Sequence, residues 1–491
     1  LYANTTGANN TAVGYTALRR NTTGYQNLAI GNFALQCNTT GHSNVAIGCT
    51  ALNVNTTGNH NVAVGLESLG ANTTGCLNTA VGRCALYANT TGGSNTASGY
   101  RALQANTTAS YNTAIGGCAL LCNTTGAANT ANGFRALACN TTASENTASG
   151  YAAMQLNTTG CENSAFGRKA MCCNTTGFNN TAVGVVALAN NSTGCYNTAV
   201  GNRAMLLTTS SLNTAVGYVA LCKNTTGNSQ VAVGACALHT NTTGGDNVAI
   251  GVESLRFNTT GASNVVVGKD AAQCNTTANN NVAIGLKANA LNKTGFGNVS
   301  VGACAAYNSI CGKNTAIGTS ALVTNTTGVC NVVVGWDAGY STTTGGYNVF
   351  MGSRAGFSNT TGASNTFIGK DSGYYTTTAS HNTAVGNGSL LVNSTGSYNT
   401  ASGSYAMYAT TTGAQNTATG YAAMYCNTTG NYNVAVGQSS MYKNVSGSWN
   451  TALGFDSMSC NVGGCYNTAL GRKAMCCNTY GNCNAAGGNH A

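Results

Sequence analysis

Along this chain the apolar and polar positions repeat every 17 residues, in a unit close to NTTGxxNTAVGxxALxx that runs from Asn4 to the end. Numbering each unit from the Asn of NTTG, position 11 is Gly in all 29 copies, from Gly14 to Gly488, and position 7 is Asn in 28, with Gln230 the exception. Seventeen residues bury almost no core alone, so each unit is expected to be one rung stacked on its neighbours. The segment at positions 7 to 11, such as Asn44-Val45-Ala46-Ile47-Gly48, is small or apolar on both alternating sets. That is how a parallel strand covered on both faces reads. A second apolar patch at positions 14 and 15 (Ala17-Leu18, Ala153-Met154, Ala474-Met475) predicts a second short strand, with turn chemistry in NTTG between them. The expected fold class is therefore all-β, a parallel β-solenoid with two short strands per rung and about 29 rungs. At about 4.8 Å per rung, such a stack would be a rod roughly 140 Å long.

Two single-residue deletions interrupt the period, between Gly201 and Gly217 and between Gly302 and Gly318, while the pattern holds on either side. Slips of this kind suit loops better than strands. Residues 1–491 are thus expected to form a single repetitive array. The start at Leu1-Tyr2-Ala3, in mid-unit and without Met, suggests an excerpt of a longer product.

Columns of identical residues carry the structural expectations. Gly14, Gly31, Gly48 and Gly65 are expected where the backbone takes positive φ or packs too closely for a Cβ. Asn10, Asn27, Asn44 and Asn61, and likewise the Asn at position 1, could bond rung to rung as amide ladders.

Composition adds limits rather than chemistry. Charged residues make up 6%, Pro is absent and Gly numbers 65, which favours ladders and turns over a charged disordered tail. The net charge of +10 is spread along the repeat, mostly at positions 12, 13, 16 and 17, without the dense basic stripe a nucleic-acid partner needs. No run of 18 apolar residues calls for membrane insertion of this segment.

Units such as Asn365-Thr366-Phe367-Ile368-Gly369-Lys370-Asp371-Ser372-Gly373-Tyr374 and Asn348-Val349-Phe350-Met351-Gly352 resemble the repeats of phage and bacterial tail-fibre proteins. The NTAVGxxALxxNTTG pattern is also similar to the YadA-like head repeats of trimeric autotransporter adhesins, whose unit is shorter. This resemblance covers essentially the whole chain. It implies a left-handed β-roll, three chains side by side as a homotrimer, extracellular display on a cell or virion, and no catalytic residue. A surface receptor or glycan would be the partner.

The 23 cysteines collect at variable positions, and Cys122 with Cys139, and Cys460 with Cys477, stand 17 residues apart in register. Cα atoms one ladder spacing of about 4.8 Å apart are within disulfide range, so inter-rung staples are possible there. No cofactor and no metal site is expected, because no CxxC pairs with a suitable partner. His42, His60 and His381 read as surface histidines in loops. Most position-1 Asn begin N-x-Ser/Thr sequons, yet glycans one rung apart would crowd, so sparse or absent N-glycosylation is expected. Two stacked carboxylate pairs, Glu145 with Glu162 and Glu253 with Asp270, have the spacing of about 5 Å that a retaining glycosidase uses. Lys287 follows in the second column and no pocket is indicated, so solvated corner charges are the plainer reading and the chain is not expected to be an enzyme.

The function expected from these features is a structural fibre or adhesin-type shaft. An ice-binding solenoid and a glycan-cleaving tail spike are the alternatives. Ice binding needs an uninterrupted outward Thr file, and at position 8 Thr11, Leu28, Val45, Val62 and Thr79 alternate.

Overall fold

The structure, a computed structural model, describes residues 2–490. It comprises 29 strands of three residues, each centred on position 9 of a rung, from β1 (Thr11–Val13) to β29 (Ala485–Gly487). No helix occurs among the described residues. The strands fall into two compact units divided between Thr243 and Gly244, each a parallel β-solenoid.

In the first unit β1 to β14 (Val231–Val233) pair in parallel with neighbours in sequence, residue on residue: Thr11 faces Leu28, Ala12 faces Ala29 and Val13 faces Ile30. Both deletions leave this register intact. β12 (Thr198–Val200) meets β13 (Thr214–Val216) as Thr198 on Thr214, a step of 16, and the missing residue is taken from the loop around Thr208–Ser210. In the second unit, β15 (Val248–Ile250) to β29 pair the same way, and Val299 on Thr315 shows the same step.

Only one strand forms per rung, where two were expected. The residues at positions 12 to 17 also bond to adjacent rungs, with Leu18 N donating to Ala34 O at 3.0 Å and Phe33 N donating to Tyr15 O at 2.9 Å. Positions 13 and 15, however, sit in the left-handed region: φ is 54° at Thr16 and 50° at Leu18, and these values recur in rung after rung. Such residues curl the backbone instead of extending it, so the second apolar patch is a bonded corner.

Position 9 points inward, with position 14 and the Leu or Met at position 15. Ala29, Ala34 and Leu35 have no exposed surface, and the same holds along the column. Size is traded between positions 9 and 15. Where position 9 is Ala, position 15 is usually Leu or Met; where it is Phe350 or Phe367, position 15 is Gly356 or Gly373. The two phenyl rings stack at 5.2 Å, 10° from parallel.

The closing glycine meets both demands placed on it. At Gly14 φ is +130°, and an added Cβ would come within 2.6 Å of Gly31 O and 2.7 Å of Gly31 C in the next rung. NTTG is anchored by convergence on one carbonyl: Thr5 N, Thr6 N and Gly7 N donate to Thr22 O at 2.9, 3.1 and 3.3 Å, and Thr5 Oγ1 adds a fourth bond at 2.9 Å.

Candidate functional surface

The ladders lie inside, and the molecule's chemistry lies on what faces out. Asn10, Asn27, Asn44 and Asn61 form a column in which each Oδ1 accepts from the next residue's backbone N and Nδ2. Asn27 donates to Asn10 Oδ1 at 2.9 Å from N and 3.2 Å from Nδ2. Its Nδ2 also donates to Gly41 O at 2.9 Å. In the position-1 column Asn38 Nδ2 donates to Asn21 Oδ1 at 2.8 Å and to Gly41 O at 2.8 Å.

These contacts decide the sequon question. The nitrogen that would carry a glycan is the ladder donor, and Asn21, Asn38, Asn55 and Asn72 are fully buried. Crowding of glycans was the expected obstacle; burial of the acceptor atom comes first. In the second unit the same column is interrupted where Thr342, Thr376 and Thr410 replace Asn. Their buried hydroxyls find no partner, and Asn359 Oδ1 and Asn393 Oδ1 between them are left unpaired. Sequence periodicity alone gives no weight to those three replacements.

Outward files line each rung. Positions 8 and 10 flank the inward residue of each strand, and position 10 is largely apolar and open, with Val13 56%, Ile115 44% and Leu470 46% exposed. Position 12 extends that stripe with Tyr15, Tyr100 and Tyr151. Position 3 carries an exposed threonine in every rung from Thr6 to Thr193. Beside it the position-2 hydroxyl is held by the carbonyl of the next rung, as Thr39 Oγ1 is by Thr56 O at 3.0 Å.

Position 16 of the second unit builds an aromatic column that the sequence reading missed, although its 17-residue recurrence was the available signal. Tyr340, Phe357 and Tyr374 stack at 5.3 and 4.9 Å, and Tyr408, Tyr425 and Tyr442 at 4.8 and 5.1 Å. Their faces cover one another, so edges and hydroxyls are what remain to meet solvent. Burial, then the neighbouring Tyr408 and Tyr442, pushes the Tyr425 phenol above its ordinary value.

Carboxylates sit at corners, and Glu253 and Asp371 are paired there. Glu253 pairs with Arg256 at 2.9 Å and accepts from Gln273 Nε2 at 2.6 Å. Glu145 and Glu162 occupy left-handed corner positions, with φ of 62° and 58°. Arg354 forms a two-pronged pair with Asp371 on the next rung, at 2.8 and 2.9 Å, beneath the Tyr374 ring. Asp337, one rung before, has its carboxyl raised by burial against the opposing pull of Arg354.

A surface cavity of about 290 Å³ opens where Gly70 leaves position 16 without a side chain, lined by Thr50, Asn53, Glu67 and Tyr87. It offers one carboxylate and no nucleophile–base pair. Among the described residues no group of three His, Cys, Asp or Glu could hold a metal ion, and no helix is long and apolar enough to cross a membrane.

Cys122, Cys139, Cys460 and Cys477 carry free thiols in this structure, as do the other cysteines. Burial, then the charge of Cys122, raises the Cys139 thiol against the opposing pull of Arg135. A close contact joins sequence neighbours, because Cys172 and Cys173 Sγ lie 3.4 Å apart and Cys476 and Cys477 Sγ 3.6 Å apart. Burial and the bond to Cys173 push the Cys172 thiol up to about 12.

Neither a protein-family model nor a curated protein sequence matches the chain, so its functional assignment rests on this geometry alone.

Proposed function

We propose that this chain is a structural, extracellular fibre shaft that self-associates as a homotrimer and supports attachment of a cell or virion to a surface receptor or glycan. The observation that carries the proposal is the division of labour within each rung. Ladder columns repeat with little change, while charge, cysteine and aromatic variety gather at the outward corners. A shaft needs stiffness from the first set and tolerates change in the second.

The outward stripe of positions 8, 10 and 12 supports self-association. A row of half-exposed Val, Ile and Leu beside most strands is the kind of surface that a second copy covers, and a closed ring of three would cover it. Sedimentation velocity combined with small-angle scattering tests this reading. Three chains per cross-section are expected, and a cross-section of one chain at all concentrations would refute the assembly.

A second reading, ice binding, draws support from the threonine file at position 3 rather than from position 8. Its side chains are open in every rung from Thr6 to Thr193, beside hydroxyls held in one orientation. Thermal hysteresis in purified protein, lost when several of these threonines become Tyr, would favour it; no hysteresis would remove it.

A further inference from the structure

The interior of the second unit contains one place where the trade of size between positions 9 and 15 fails. Val266 faces Ala272, Ala283 goes with Asn289, and Ser300 goes with Ala306. Against the usual pairing of Ala with Leu, the Asn289 rung has a polar group in place of an apolar one, and the Ser300 rung lacks most of the Leu volume. Asn289 and Ser300 are both fully buried. Asn289 Nδ2, Asn289 Oδ1 and Ser300 Oγ all lack a hydrogen-bond partner. One apolar cluster of this unit runs from Ala305 to Met475, beginning just past these two residues, while buried Leu255, Val266 and Ala283 lie before Asn289.

Their mutual placement follows from the rungs that carry Phe. A Cβ on Gly356, position 15 of the same rung as Phe350, would lie 2.8 Å from that ring, and one on Gly339, position 15 of the preceding rung, 3.0 Å from it. Position 9 therefore faces position 15 of its own rung and of the one before. By the same register Ser300 faces Ala306 and Asn289. The two polar groups face one space and make no hydrogen bond to each other, and Ala306 supplies the room a Leu would have filled.

We propose that Asn289 and Ser300 bound an enclosed polar site that holds one or two water molecules, bridging the Asn289 amide and the Ser300 hydroxyl. Buried polar groups facing one another with no hydrogen bond between them are where internal water is found, given room for it and two or more partners. The lining favours water over an ion. It presents donors and acceptors together, and the side chains that point inward here are neutral. A water so placed exchanges only when the rungs open, so it is long-lived.

The test compares the chain with the double variant Asn289→Leu/Ser300→Ala by ¹⁷O magnetic relaxation dispersion. Leu and Ala are the ordinary residues of these two columns, and Leu at position 15 already tolerates the left-handed backbone, with φ of 50° at Leu18 against 53° at Asn289. The variant is expected to fold, to lose the dispersion amplitude of one or two long-lived waters, and to melt at a higher temperature. Equal dispersion in the two folded proteins would overturn the proposal. A crystal structure of the unaltered chain gives an independent outcome. Ordered solvent roughly 2.7–3.2 Å from Asn289 and Ser300 supports it, and an empty space or an Asn289 side chain turned outward refutes it.

Discussion

Phe350 occupies the space that Gly356 leaves vacant: a Cβ on that glycine would stand 2.8 Å from three atoms of the phenyl ring. The pair therefore behaves as one unit of volume divided unequally. Gly356→Leu alone should overpack the rung, at a cost of about 1–3 kcal/mol or more. Phe350→Ala alone should leave a cavity worth about 3–5 kcal/mol. The double variant recreates the Ala and Leu of other rungs and should recover most of both losses. A double-mutant cycle on urea unfolding measures this, and simple additivity of the two losses would show that the columns do not exchange volume.

Thr376→Asn should stabilise the second unit. The buried hydroxyl of Thr376 has no partner and neither does Asn359 Oδ1, whereas Asn in this column elsewhere bonds on both sides. Restoring the amide should add about 0.5–1.5 kcal/mol per bond gained. Removing an amide, as in Asn38→Ala, should cost about 1–3 kcal/mol by orphaning Asn21 Oδ1 and one N–H of Asn55 Nδ2, whose other N–H keeps Gly58 O. Native-state hydrogen exchange reads both, because each effect should be greatest in adjacent rungs.

Thiol reactivity should sort by exposure and burial. Cys49, Cys122, Cys477 and Cys483 are exposed, whereas Cys84 and Cys222 are buried and their thiols are raised chiefly by that burial. At pH 8 iodoacetamide should label the exposed set first, and Cys84, Cys172 and Cys222 only after unfolding. Under air oxidation, Cys122–Cys139 and Cys460–Cys477 are the expected inter-rung links. Arg135 and Arg472 lie between the partners, so trypsin yields linked peptides if the staples form. Unreduced digests containing only free thiols, or only the vicinal Cys476–Cys477 link, would eliminate them.

Asp337 gives the chain a predictable acid response. Its folded carboxyl is raised above the ordinary 3.8, so the folded state favours the protonated form. Its contribution to stability is fully present below the unfolded value and is lost as pH rises through the folded one. Asp337→Asn should therefore raise the melting temperature at neutral pH and make no difference below about pH 3. Arg354 retains Asp371 in that variant. An equal effect at both pH values would assign the change to packing instead.

Much of the scaffold was legible because one residue type fills one column. Constancy at Gly14, Gly31, Gly48 and Gly65 marks a site closed to Cβ, and the β-ladder follows from the run Val45-Ala46-Ile47. The second strand was misjudged for a reason local to Thr16 and Leu18. Apolar spacing reports which side chains are buried, and it is silent on the sign of φ, so a left-handed corner that buries Leu reads like an extended one. Column position 16 was passed over for the opposite reason. Tyr340, Phe357 and Tyr374 recur at the period, but residues as varied as Arg19, Cys172 and Asn53 in the same column dilute that signal, and the stacking distances bring it out.

The two short steps, at Thr198 on Thr214 and at Val299 on Thr315, have a consequence for how such a gene can change. Each rung presents to its successor the same atoms its predecessor presented to it, and a residue lost at a corner is not felt in the ladder. Unequal crossing-over between copies would thus give products that still fold, and the identical stretches Gly167–Thr175 and Gly471–Thr479 are what such an exchange leaves behind. Copy number becomes a quantity that selection can adjust in whole rungs, without any new side chain having to be invented.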